Sequence, residues 1–261
     1  LLFWVGGVLF IAYDIGETNY KKLCENLEHL IVQKEFKESV TLGINMYNAD
    51  FEYEYILELL VKYHFNHVRV SITVPNVDED RNIDAHSYFN RMKPRLFDFF
   101  YKLLENNIIP NFDCNKIPSC LISTPELDAF KKYLENAFIR ENISKSNISN
   151  TYVTCSPVID IRQDLTAVRC FGLSEYTKVK IEDFKSIKDL EKHYIRTIDA
   201  YAYNTVYSEK CASCYDRDAL KCSGGCLAFK IKEILKIQQF ANEQIERYII
   251  DEKNRITKSE Y

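Results

Sequence analysis

Four cysteines stand within sixteen residues, as Cys211-Ala-Ser-Cys214, seven intervening residues, then Cys222-Ser-Gly-Gly-Cys226. Thiolates at that density suit a soft metal or an iron-sulfur cluster, and Gly224 and Gly225 let the backbone turn closely around a bound group. Zinc would draw on the same four thiolates, although its ligand pairs usually stand further apart in sequence. Two more pairs lie upstream: Cys155 and Cys170, and Cys114 and Cys120, the latter flanking Asn-Lys-Ile-Pro-Ser. Setting aside Cys24, eight of the nine cysteines remain, which is the ligand number for two 4Fe-4S clusters. Cys24 falls on an amphipathic stretch with Leu23, Leu27 and Leu30 and reads as a small buried hydrophobe. The five histidines form no HxxxH or HExxH group, and no Gly-x-Ser-x-Gly elbow or phosphate loop occurs. Hydrolase and kinase readings have no sequence support.

Composition narrows the rest. With 38 acidic against 34 basic residues, a net charge of -4 and no Lys/Arg block, the chain lacks the electrostatic footprint of a nucleic-acid binder. The apolar opening from Leu1 to Tyr13 has no basic n-region or small-residue cleavage site and is too short to span a bilayer, so it reads as strand. Without a secretion signal, free thiols in a reducing cytoplasm are expected instead of a disulfide framework. Only seven glycines are present, and Gly6-Gly7 precedes the first strand instead of following it, which excludes a glycine-rich Rossmann turn.

The elements that must position the cysteines follow from periodicity. Residues 8–14, 40–47, 67–74 and 108–114 read as strands, separated by helical patterns over 19–34, 51–63 and 87–105. Strand and helix in alternation mean a parallel sheet. Its carboxyl ends, where ligands gather, carry Asp14, Asn45, Tyr47, Asn48, Ser71, Asn76 and Asp113. A helix over 126–138 leads into a polar linker at 141–150. A hairpin then runs from 152–161 through a turn at 162–165, with Asp164 as a turn residue, to 166–173, which brings Cys155 and Cys170 towards each other. Helices over 187–207 and 227–252 flank the cysteine-rich loop.

The run from Cys155 to Cys170, followed by Cys211-x2-Cys214-x7-Cys222-x3-Cys226 with its Gly-Gly before the last cysteine, resembles the C-terminal SPASM or twitch domain of radical S-adenosylmethionine (SAM) enzymes. The segment before it resembles the second half of that family's partial TIM barrel. The resemblance implies an α/β chain: half a partial (β/α) barrel over 1–124, a connecting helix and linker over 125–150, a small α+β auxiliary-cluster domain over 151–230, and a terminal helix over 231–261. It implies cluster ligation by Cys155, Cys170, Cys211, Cys214, Cys222 and Cys226, with Cys114 and Cys120 as additions, and one or two auxiliary 4Fe-4S clusters.

The same resemblance implies a peptide or protein substrate, an electron donor such as flavodoxin or ferredoxin, and no nucleic-acid or membrane partner. Asp14, Asn45 and Ser71 are its SAM-contact candidates. Several features depart from the family pattern. Leu165 stands where a glycine is usual, the gap between Cys214 and Cys222 is seven residues where five is commoner, and no cysteine follows Cys226. No CxxxCxxC occurs, and no Gly-Gly-Glu-Pro-like motif. Both belong to the first three barrel strands, so the chain, beginning at Leu1, is expected to be the later part of a longer enzyme, inactive in SAM cleavage alone. The alternative is a non-catalytic zinc- or iron-sulfur-binding peptide-recognition module.

Overall fold

Alternation of apolar and polar residues in His67-Val68-Arg69-Val70-Ser71-Ile72 can bury one face of a strand and leave the other half open, and that is how the segment lies. The computed structural model describes residues 4–5, 8–12, 16–33, 40–73, 84–112, 116–146, 155, 157–173 and 175–259, with only the backbone given for 4–19 and for parts of the last helix. The chain divides into two units, Leu1–Val74 with His86–Val153, and Pro75–Ala85 with Thr154–Tyr261.

In the first unit, β1 (Trp4–Val5) pairs antiparallel with β2 (Val8–Ala12), and β3 (Thr41–Met46), β4 (His67–Ile72) and β5 (Ile109–Phe112) add in parallel, in that order. The four expected strands are present, and β3, whose two ends are both described, is a little shorter than the sequence pattern suggested. The sheet is open among the described residues, with β1 and β5 each having one strand neighbour. Leu42, Ile44, Met46, Val68, Val70, Ile72 and Phe112 are buried. The connecting helices are α1 (Gly16–Glu28), followed by a π turn to Gln33, then α2 (Glu54–Lys62) and α3 (Ala85–Glu105). α3 buries a stripe of Tyr88, Met92, Leu96, Phe99 and Leu103, the spacing of one helical face.

Two helix ends set the strands that follow them. After α2, Phe65 N–H donates to the Leu60 carbonyl with His64 at φ 54°; after α3, Ile108 N–H donates to the Leu103 carbonyl with Asn107 at φ 58°. Both are the left-handed closure that satisfies a helix's last carbonyls and reverses the chain. Each delivers the backbone directly into β4 or β5.

The single helix expected over 126–138 is instead α4 (Thr124–Lys131), a 3-10 turn (Lys132–Glu135) and α5 (Ala137–Ile143). The expected polar linker is thus helical as far as Ile143. The Asn136 side chain accepts from Phe138 and Ile139 N–H at 3.0 and 3.2 Å, restarting the helix. Ile139 is then buried with Leu104, Ile109 and Tyr133.

The second unit carries a small antiparallel sheet of β6 (Asp160–Ile161), β7 (Thr166–Val168) and β8 (Val179–Lys180). Its hairpin is much shorter than the sequence suggested, and β8 was not expected. The turn is as read: the Asp164 carboxylate accepts from the Thr166 N–H and hydroxyl at 3.2 and 2.5 Å. α6 (Ile187–Tyr194), a π turn (Ile195–Asp199), α7 (Ala200–Tyr203), α8 (Tyr215–Asp218) and α9 (Leu227–Ser259) complete the unit. Among the described residues no helix is long and apolar enough to cross a membrane.

Candidate metal centre

Sixteen residues hold four of the thiols, but the geometry is built by the first turn of α9. Cys226 immediately precedes that helix and is 8% exposed. Its neighbour is Cys155, to which the Cys226 thiol donates. The backbone N–H of Leu227 points to Cys155 and that of Ala228 to Cys226, so the positive end of the helix faces both sulfurs.

The two thiols are shifted in opposite directions. The Cys226 hydrogen bond, outweighing the opposing effect of burial and helped by the Leu227 amide, Lys230 and Arg169, lowers the Cys155 pKa to about 6. The Cys226 pKa is pushed up by that same hydrogen bond and by burial.

Cys170 joins this pair electrostatically. It is half-buried, its pKa is raised by burial first and then by the Cys155 charge, and the Gly172 N–H opposes both. Gly172 permits the approach: a Cβ there would lie 3.3 Å from the Ala228 Cβ. Arg169 fixes the preceding residue, donating to Asp199 at 3.0 and 2.8 Å and to the Pro157 carbonyl at 2.6 Å. The end of β7 and the segment after Cys155 are thereby tied together. The hairpin ladder itself stops short of both cysteines, pairing only Asp160 with Val168 and Ile161 with Ala167.

The cysteine-rich loop turns tightly. Tyr207 N–H donates to the Gly224 carbonyl at 3.2 Å, and Tyr207 is 3% exposed. Gly224 and Gly225 take φ of 73° and 112°, and a Cβ on Gly225 would come within 2.3 Å of the Tyr207 ring. Only glycine fits a position that is both left-handed and in contact with a ring face. Ser223 links the two halves of the site: its hydroxyl accepts from Cys155 N–H at 3.2 Å and donates to the Gly225 carbonyl at 3.1 Å.

Lys230 was not singled out in the sequence. It is 6% exposed, donates to the Ser223 carbonyl, and lies in the electrostatic reach of Cys155, Cys222 and Cys226. Burial lowers its pKa, with those thiols opposing. Its signal was its place four residues after Cys226, one helical turn on, in a stretch from Leu227 to Ile231 that is otherwise apolar and buried all round.

Of the sequence-derived ligands, Cys155 and Cys226 are brought into contact, and Cys170 lies within their electrostatic reach. Cys211 is buried in a 3-10 turn, and Cys214 and Cys222 are half-buried in the same loop. Cys120 is exposed and belongs to the first unit, and Cys24 is half-buried on α1, less enclosed than the sequence suggested. Cys114 and Asp14 lie outside the described residues. No described cysteine forms a disulfide. Asn45 and Ser71 pair across β3 and β4, both half-buried, on the face opposite the apolar core, where Arg69 pairs with Asn111.

The donor set fits a soft, anionic group in kind: thiols, helix amides and a buried ammonium converge on one place. Among the described residues, no three Cys, His, Asp or Glu side chains close to metal-ligating distance. Cys155 and Cys226 are in contact, and Cys170 stands further off. No family model matches the chain, and no curated protein or solved structure matches it.

Proposed function

We propose that the chain is a SPASM-type protein of the radical SAM class that binds one or two auxiliary 4Fe-4S clusters and serves in the radical modification of a peptide or protein in the cytoplasm. The observation that carries this is the meeting of Cys155 and Cys226, from separate segments, at the first turn of α9, with Cys170 in their electrostatic reach. Those thiols, with Cys211, Cys214 and Cys222 from the adjoining loop, are the proposed ligands. A cluster there supplies a one-electron acceptor or an anchoring iron site.

The chain's own part is to present sulfur in anionic form. The Leu227 and Ala228 amides stabilise thiolate, and Ser223 holds the Cys155 backbone beside the Gly225 turn. SAM cleavage is not assigned to these residues, since CxxxCxxC does not occur among them. Asn45 and Ser71, with Asp14, are the proposed strand-end contacts for SAM, and flavodoxin or ferredoxin is the proposed electron donor.

Anaerobic reconstitution with iron and sulfide tests the reading. The expected product is brown, absorbs near ~400 nm and holds about four irons for each cluster. A colourless protein that takes up one zinc in preference would replace it with a zinc-binding recognition module.

A further inference from the structure

Lys230 is enclosed almost completely, and among the described residues no carboxylate lies within ion-pair distance of it. A buried ammonium is costly unless negative charge faces it. Its hydrogen bond to the Ser223 carbonyl supplies a dipole, not a charge. The groups electrostatically coupled to it are the sulfurs of Cys155, Cys222 and Cys226, while Arg217 adds positive charge nearby. Cys155 and Cys226 belong to the converging set, and Cys222 belongs to the loop that Ser223 ties to it.

We infer that Lys230 is the counter-charge of the thiolate-held group, a positioning residue that raises its reduction potential. The inference rests on the proposed cluster. When such a site is reduced, one electron enters from the reductant, no bond is made or broken, and the negative charge facing Lys230 rises by one. A fixed ammonium therefore favours the reduced form over the oxidised one. A purely structural lysine would hold the loop equally well in both.

The full chain is reconstituted anaerobically as wild type, Lys230→Met and Lys230→Arg, and titrated with dithionite while the ~400 nm band is followed. Loss of the charge in Lys230→Met is expected to shift the reduction equilibrium at least tenfold towards the oxidised form, about 59 mV lower for one electron. Lys230→Arg is expected to stay close to wild type. A Met variant that fails to hold a cluster while the Arg variant holds it also supports the inference. Equal midpoints in all three proteins overturn it and leave the proposed cluster standing, as does failure of both variants beside a loaded wild type, since the side chain's shape would then be what matters. A wild-type chain that takes up no cluster overturns the proposed function, and this inference with it.

Discussion

Two backbone positions decide how the cysteine segments turn. At Gly225 the left-handed φ and the Tyr207 ring leave no room for a methyl group. Gly225→Ala is expected to cost about 2 kcal/mol or more, read as a lowered urea midpoint at unchanged slope, and to displace Cys226. Leu165 presents the opposite case. It is 71% exposed with φ 57°, in the turn between β6 and β7, and a branched side chain gains nothing there to offset the left-handed strain. Leu165→Gly is expected to stabilise the protein by about 1 kcal/mol, partly offset by glycine's extra freedom in the unfolded chain; thermal unfolding measures it. That turn needs a residue tolerant of positive φ, and the residue present is not glycine. Spacing picked out the cysteines of the second unit, but it picked out Cys120 of the first unit as well. Lys230 was not legible, because periodicity counts a lysine as solvent-facing, and its place one turn after Cys226 in an apolar stretch is the sign that went unread.

Among the elements, α4 is held by a reciprocal cap. Glu126 accepts from the Ser123 N–H and hydroxyl at 2.7 and 2.8 Å and pairs with Lys93 at 2.9 Å. Burial would raise the Glu126 pKa, but the Ser123 N–H, Lys93 and the Ser123 hydroxyl together hold it below the ordinary 4.5. A carboxylate with a depressed folded pKa contributes stability above its unfolded pKa and loses it as pH falls through the folded value. Glu126→Gln is therefore expected to be less stable by about 1 kcal/mol at pH 7, and the gap should close as the pH drops below 4.5; denaturant melts across that range check it. The strands and crossover helices of the first unit were readable because each carries several turns or alternations of pattern. The division of the 126–138 helix was not, since it depends on Asn136 capping a new start and on Ile139 finding Leu104 and Tyr133. β8, at two residues, has no period to read.

Over the whole molecule, the two units differ in what fixes them. In the sheet of the first unit, β3 and β4 are specified locally by alternation of apolar and polar residues, and left-handed helix ends set β4 and β5. The second unit has strands of two or three residues, and its order comes from contacts between segments far apart in sequence: Arg169 with Asp199, Tyr194 donating to the Ala167 carbonyl at 2.6 Å, Ser223 with Cys155. Sequence reading suits the first kind of order and only counts the cysteines of the second.

The start of α9 has a kinetic consequence. Cys226 is the last residue before a 33-residue helix, and the amides of that helix's first turn are engaged with the Cys226 and Cys155 sulfurs. Cys226 is buried where half-buried Cys155 is not, so an alkylating reagent reaches the Cys226 sulfur chiefly while that turn is unwound. The rate at which this one thiol reacts is then set by how often one end of a helix opens, and its chemistry becomes a clock for local unfolding.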